Sequence, residues 1–522
     1  MFRRLLLSLT LAVMLGGPLT DAYAAGPTLH FRLGEDPETL YNVKSFSLTV
    51  SSVLGPYLLD RLVYFDASGQ PKPWLAESWV VGDDQKQITF KLRSGITFTD
   101  GTDFNAAAAK AQFDAVMDKK NASPLLPLLG SLQTVEAPDA TTLRFTFAKP
   151  FAPFLSNIAQ ASFGFNSPTA VAKYGSQYGR HVVGTGPYML KSWDPGSEIV
   201  LVRNPDYHQY RGDAVNKGAP IAARIVLTVI SEEGVAQAAL EEHELTAAAV
   251  SADAIDALVK NPAFTTVINK VVTNLYFIEF NERRAPFNDP DMRRAIGYAI
   301  DRAAVVKAAF NSYASPALGP LASGIPGYDA GIGKKYGTPY DPAKAKALLA
   351  AAGWKPGADG VLVKDGKAAR FVIKSYSGFV TIDRTLSVIQ SNLADIGIKV
   401  SLQTSDWGTF YPSLLKNDWD MDLMRWTNSD PSVLSVLFRS PGHRKATLPD
   451  ARTDAALDRC DTLMNPTTRA GCVGEAQIDL LKASTIVPVA SNWSVIITQA
   501  DVKDYTIDYF NNLIPGDVRI VN

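Results

Sequence analysis

Residues 370–427 constrain the fold most, because strand and helix patterns alternate there with almost no chain between them. "RFVIKSYS" reads as a strand, and "TIDRTLSVIQSNLADIG" as a helix with Leu386, Ile389, Leu393 and Ile396 on one face. "IKVSLQ" is a second strand, "WGTFYPSLLKN" a short helix and "DMDLMRW" a third strand. Connections this short predict a mostly parallel sheet covered by helices. Ligands of such sheets settle outside the carboxyl ends of the strands. Those ends hold Ser375-Tyr376-Ser377, then Ser405-Asp406-Trp407, then Arg425-Trp426-Thr427-Asn428. Strand-end residues usually face solvent or ligand, so a site is expected there in preference to two core tryptophans. Arg425 alternates with Met424 and Trp426, and either the cleft or the flank of this lobe can receive it.

A second stretch tests for nucleotide chemistry. "VVGTGPYMLKSWDPGSEIVLVRNPDYH" (182–208) opens with Gly184-Thr185-Gly186, as a phosphate cradle would. A cradle needs free backbone N–H groups leading into a helix, and Pro187 removes one of them. Two strand patterns, Tyr188/Leu190 and Ile199/Leu201, flank an Asp194-Pro195-Gly196-Ser197 turn. A hairpin is therefore predicted. "GIGKKYG" (331–337) has no strand before it and reads as a loop. His30, His181, His208, His243 and His443 show no paired spacing, so no protein-built metal site and no cofactor are expected. Neither a G-x-S-x-G elbow nor a Walker pattern occurs, and no catalytic constellation stands out. The expectation is a binder, not an enzyme.

With 522 residues the chain exceeds one ordinary domain. The opening "MFRRLLLSLTLAVMLGGPLTDAYAA" has two arginines, an apolar run from Leu5 to Leu15 and a small-x-small Ala22-Tyr23-Ala24. That predicts a secretory signal peptide over residues 1–24, cut after Ala24. The run falls short of the roughly 20 residues a membrane span needs. A formal net charge of -1 predicts no attraction to nucleic acid or anionic membrane. Cys460 falls within a helical pattern (Ala455, Leu457, Cys460, Leu463) and Cys472 opens the next; a helical hairpin joins them as a disulfide, or both stay buried thiols. "YDPAKAKALLAAAGW" is a complete helix statement, with Asp341 as N-cap, Pro342 in the first turn and Gly353 as the stop.

The segment from Gly184 to Tyr207 resembles the pattern G-T-G-P-[YF]-x-L-x-x-[WY]-x-x-G-x-x-[IV]-x-L-x-R-N-P-x-Y of the extracytoplasmic solute-binding proteins of ABC importers, family 5, the peptide/nickel/opine class. "LLDRLVYFDASGQPKPWLAESW", "FKLRSGITFTDG", "FNDPDMRRAIGYAIDR", "YDPAKAKALLAAAGW" and "IQSNLADIGIKV" are similar to its other landmarks, in the same order. The resemblance implies an α/β fold, a periplasmic-binding-protein-like class II (cluster C) clamshell of two hinged lobes plus an inserted third domain. It implies domain I over 26–62, 183–272 and 490–522, domain II as an insertion over 63–182, and domain III over 273–489. Ligand would be enclosed between domains I and III by hinge closure and handed to an inner-membrane ABC permease. A periplasmic monomer that binds a small molecule is expected.

By the same resemblance, Trp407 falls on a site tryptophan of the oligopeptide binders and Trp426 on a second. Peptide-binding members carry an ammonium-gripping aspartate after that second tryptophan. Here Thr427, Asn428 and Ser429 alone separate Trp426 from Asp430-Pro431, and no such aspartate stands among them. A buried ammonium without a partner is costly. The expected ligand-binding set is thus Trp407, Trp426, Asn428, Tyr376, Arg425, Ser377, Asp406 and Thr427, suited to an uncharged or anionic solute. An opine or a sugar phosphodiester of the agrocinopine kind is favoured, with an oligopeptide or dipeptide ligand as the alternative and a nickel chelate as a further one. A secreted hydrolase and a periplasmic chaperone or sensor partner are the rival classes.

Overall fold

A computed structural model describes residues 26–416, 418–440 and 446–521. The expected signal peptide with its cut after Ala24, and His443, lie outside the described residues. Three large sheets organise the chain. The first has seven strands in the order Phe264–Asn269, Ser494–Gln499, Ala247–Ala248, Thr28–Leu33, Arg224–Val229, Glu198–Arg203, Tyr188–Asp194. Thr28–Leu33 runs parallel to both Arg224–Val229 and Ala247–Ala248, so the carboxyl ends of these three lie on one edge. The Gly184–Tyr207 segment forms the predicted hairpin at the far side of this sheet, with Gly196 at φ +74° in its turn.

The second sheet has six strands, Ala314–Pro316, Ile486–Asn492, Asn274–Phe280, Met421–Thr427, Arg370–Tyr376 and Lys399–Ser405 in that order. Arg370–Tyr376 is parallel to the strands on both sides of it, as the alternating pattern predicts. The sheet as a whole is mixed, not mostly parallel, because its three other pairings are antiparallel. Asn274–Phe280 enters from the first sheet, and Ile486–Asn492 returns to it. Helix Val380–Asp395 buries Leu386, Ile389 and Leu393 against the sheet, with Ile396 buried just past its end.

Two further segments depart from the sequence reading. Residues 330–336 form a short helix instead of a loop, capped by the Asp329 carboxylate, which accepts from the Gly331 N–H at 2.7 Å. Its glycines serve proximity: a Cβ on Gly333 would stand 2.7 Å from the Gly319 nitrogen. Cys472 lies inside helix Pro466–Ala483 and does not open it; "NPTTRAG" supplies the cap, Asn465, and the first turns. Of the two states left open for the cysteines, the structure holds the disulfide Cys460–Cys472.

The third sheet, four antiparallel strands between Ala76 and Phe147, is backed by helix Ala106–Met117. Its core is rich in phenylalanine, with Phe113 within 6.2 Å of the rings of Phe145, Phe163 and Phe165. A buried charge network fastens this unit to the seven-stranded sheet. Arg211 donates twice to Asp213, at 3.0 and 2.8 Å, and once to Asp508, at 3.1 Å. Arg61 lies 4.0 Å from the same Asp508 and stacks 4.4 Å over Trp74. Asp60 accepts from the hydroxyls of Thr185 and Tyr207, both at 3.2 Å. Thr185 and Tyr207 belong to the motif segment, whose role is to pack against this network and not to hold a phosphate.

Gly184 and Gly186 are there for close approach. A Cβ on Gly186 would stand 2.5 Å from the Leu58 carbonyl carbon and 2.6 Å from the Tyr57 oxygen. Gly186→Ala should therefore destabilise the protein by about 1–3 kcal/mol. Gly234→Ala, at a helix start with no heavy atom within 4 Å of the added methyl, should leave the thermal midpoint unchanged or slightly raised. Differential scanning fluorimetry of the pair checks this, and equal losses would contradict it. A pH dependence follows as well. Burial pushes the Asp60 carboxyl up from 3.8 to about 7, against the opposing pull of Arg61, Thr185, Tyr207 and Arg211. The folded state therefore holds this proton more tightly than the unfolded chain. The group's stabilising contribution is complete below about pH 4 and is lost as pH rises through about 7. Asp461, also pushed up to about 7 chiefly by burial, acts in the same direction. The thermal midpoint should fall between about pH 5 and pH 8, and Asp60→Asn should flatten that fall without abolishing it.

Candidate ligand site

The carboxyl ends of Arg370–Tyr376, Lys399–Ser405 and Met421–Thr427 share one edge of the six-stranded sheet. Parallel pairing runs one residue past the strands, where the Ser377 N–H donates to the Ser405 carbonyl at 2.8 Å. Helix Trp407–Leu415 starts directly behind that edge. Asp406 is its N-cap and accepts from the Thr409 N–H at 3.0 Å. Hydrogen bonding by Thr409, through its side chain first and this N–H second, holds the carboxyl below the usual range.

An aromatic patch covers the edge. The rings of Tyr376 and Trp407 meet edge-on at 5.4 Å, and Tyr376 meets Phe379 edge-on at 5.6 Å. Tyr411, one helical turn beyond Trp407, stacks nearly parallel to it at 5.2 Å. Tyr376 is buried beneath the patch, and burial pushes its phenol up to about 12. Trp407 and Phe379, by contrast, remain 47% and 38% exposed. An open indole face beside an open phenyl ring is a surface that an apolar or sugar face can stack on.

Arg425 belongs to this patch. Its guanidinium carbon lies 5.4 Å from the Phe379 ring centre, and its side chain hydrogen-bonds Tyr276 on the neighbouring strand. Burial opposes its charge, but the phenols of Tyr276 and Tyr376 more than offset that, so its pKa lies above the ordinary arginine value. It is half-buried among aromatic rings, not a merely solvated flank residue. Trp426 is half-buried and packs on the hydrophobic core of this lobe. Thr427 and Ser377 are exposed. Asn428 turns the chain: its N–H donates to Thr273 at 3.0 Å and its side-chain oxygen accepts from the Asp430 N–H at 2.9 Å.

The sequence reading did not include Arg469, Tyr276, Phe379 or Tyr411. Arg469 donates to both oxygens of Asp430, at 2.7 and 2.6 Å, and to the Cys460 carbonyl at 3.1 Å. Burial alone would raise the Asp430 carboxyl; the Arg469 guanidinium outweighs it and holds the group below its ordinary value. No pattern in the chain links positions 39 residues apart. The Trp407–Tyr411 pair was legible, at i and i+4 of a recognised helix. Among the described residues no group of three histidine, cysteine or acidic side chains is placed to hold a metal.

Comparison with known proteins agrees with this architecture. The family model "Bacterial extracellular solute-binding proteins, family 5 Middle" matches residues 70–445. The chain belongs to that family. Glutathione-binding protein GsiB of Escherichia coli (strain K12) is 33% identical over 362 residues, 69% of this chain and 66% of that protein. The match thus spans just under two thirds of the relative's own length. Agropinic-acid-bound AgaA from A. tumefaciens R10 superposes with a TM-score of 0.79 at 25% identity, covering 95% of this chain and 99% of that one. NikA from Brucella suis with Fe(III)-EDTA gives 0.84 at 24% identity over 95% and 100% of the two chains, a likeness of fold. No described helix is long and apolar enough to cross a membrane.

Asp430 and Arg469 are 6% and 12% exposed, so removing one partner strands a charge in a dry place. Arg469→Met should cost about 3–5 kcal/mol. Asp430→Asn combined with Arg469→Met should cost clearly less than Arg469→Met alone. Thermal unfolding of the three variants against wild type reads this coupling.

Proposed function

We propose that this protein captures a small anionic or sugar-like solute outside the cytoplasm and delivers it to an ABC permease in the inner membrane. It acts as a binder and not as an enzyme, and as an exported monomer with no nucleic-acid partner. An opine or a sugar phosphodiester is favoured over a peptide with a free amino terminus. One observation carries the choice: both carboxylates at the candidate edge are already committed. Asp430 is held by Arg469, and Asp406 caps a helix. Arg425 is the charge left among the aromatic rings, and its fork of donors suits a carboxylate or phosphate. The aromatic patch supplies the face on which the rest of the solute lies. AgaA, 25% identical, was solved with agropinic acid, which supports the opine reading.

Glutathione is the second reading, favoured by the 33% match to the glutathione-binding relatives. It has two carboxylates for Arg425 but also an ammonium group, for which this edge offers no uncommitted acid among the residues proposed.

A thermal-shift panel of agropinic acid, a sugar phosphodiester, glutathione, di- and tripeptides and a nickel chelate separates these readings. A solute at about 100 times its Kd adds roughly 2.7 kcal/mol to the folded state. The opine or phosphodiester should raise the midpoint, and simple peptides should not; micromolar binding of a tripeptide library would overturn the preference. With the solute that binds, Trp407→Ala and Trp426→Ala should each weaken affinity by at least about 1–2 kcal/mol. Wild-type affinity in either variant removes that tryptophan from the site.

A further inference from the structure

The seven-stranded and six-stranded sheets are joined by two chain crossings, residues 270–273 and the single residue Trp493. Asn274 and Asn492 exchange side-chain and backbone hydrogen bonds beside them, at 2.8 and 3.1 Å. Helix Ala252–Leu258 follows strand Ala247–Ala248 of the first sheet and reaches across to the second lobe at two points. At the inner point Asp256 accepts from Asn311 at 2.6 Å and from the Tyr313 hydroxyl at 3.0 Å. Tyr313 also accepts the Trp493 N–H at 3.0 Å, so this contact sits on the crossing itself and has little lever arm.

The outer point lies one helical turn away, where Asp253 meets Arg384. The guanidinium donates to both carboxylate oxygens, at 3.0 and 2.6 Å. Arg384 stands in the second turn of helix Val380–Asp395, which begins immediately after Phe379 of the aromatic patch. Both side chains are substantially exposed, 37% for Arg384 and 59% for Asp253. An exposed pair is weak enough to break thermally and is screened by salt, unlike the buried pairs elsewhere in this molecule.

We propose that the Asp253–Arg384 ion pair is a latch between the two lobes, setting how far the cleft is closed before solute arrives and hence the affinity for it. Swinging the lobes apart about the crossings separates Asp253 from Arg384 while the inner Asp256 contact is kept. Each partner shifts the other toward its charged form, the hydrogen bond between them being the largest cause on both sides. Loss of a pair of this kind changes an open-to-closed ratio by about two- to fivefold. Apparent affinity scales with the closed fraction. That last consequence rests on the solute-capture reading; the lobe equilibrium does not.

The test therefore uses no solute. Spin labels at the exposed Val235 and Leu415, one on each lobe, report the interlobe distance in the full-length mature protein by pulsed electron resonance. Asp253→Arg should widen the distribution toward open forms, and the charge-swapped double variant Asp253→Arg/Arg384→Asp should restore it. At about 1 M salt, where the screening length is about 3 Å, wild type should move toward the Asp253→Arg distribution. Thermal midpoints within a degree or so of wild type, as surface substitutions give, show that the variants are folded. A distribution unchanged by Asp253→Arg, or a swap that fails to restore it, overturns the latch. If the latch holds but no panel solute binds, the fault lies with the solute assignment.

Discussion

Arg61, Arg211, Asp60 and Asp508 meet in a space closed to water, with Asp213 at its exposed rim, and three distant stretches of chain depend on that meeting. Asp60 and Arg61 come from the end of the first segment, Arg211 and Asp213 from the long loop after the motif hairpin, and Asp508 from the final segment. Ions of this kind gain little net stability over a well-packed apolar core, yet each is expensive to leave alone. The arrangement thus acts chiefly as a selector: a chain path that fails to bring Arg61, Arg211 and Asp508 together strands a charge. Aromatic rings finish the enclosure. Arg61 lies over Trp74, and Arg211 lies 4.7 Å from the Tyr64 ring centre. Asp508 turns its other oxygen to the N–H groups of Phe510 and Asn512, which shapes the terminal loop.

From that junction the rest of the layout follows. The phenylalanine-rich unit is held against the seven-stranded sheet, and the Tyr509 hydroxyl reaches from the junction to the Gly324 carbonyl at 2.6 Å. The Ser156 and Ser429 hydroxyls lie 2.9 Å apart, so the unit also touches the turn that ends the candidate site strand. The site edge is accordingly supported from behind by a body that contributes none of its proposed ligand-binding residues.

How much of this was legible in the chain depends on whether the governing signal is local. Helix Pro342–Ala351 was read with its cap, first-turn proline and stop because each acts within a few residues. Gly184 to Tyr207 was read as a hairpin because one proline excludes the alternative. The direction of Asn274–Phe280 was not legible, since it is set by a crossing between two sheets and by no pattern within the strand. Residues 330–336 read as a loop because no strand precedes them in a stretch rich in proline, glycine and tyrosine; there, contact with Leu318 and Gly319 outweighs the glycines' intrinsic preference against helix. At the site, the strand-end logic located Tyr376, Trp407 and Arg425 on one edge, and the structure brings them together with Phe379. It said nothing of Arg469, whose relation to Asp430 exists only once helix Pro466–Ala483 has packed beside the turn that follows Met421–Thr427.

Helix Pro466–Ala483 is also tied covalently to the preceding helix, Ala451–Cys460, and the tie reaches the candidate site. Arg469 spans from the Cys460 carbonyl to Asp430, and Cys460 is bonded to Cys472 three residues further along the helix that bears Arg469. The frame that positions the turn after Trp426 is thus completed by an oxidation. A copy of this chain kept where thiols stay reduced would carry every residue of the site and lack one strut of its scaffold. If the protein is exported as proposed, that strut forms only after the chain has left the reducing interior of the cell.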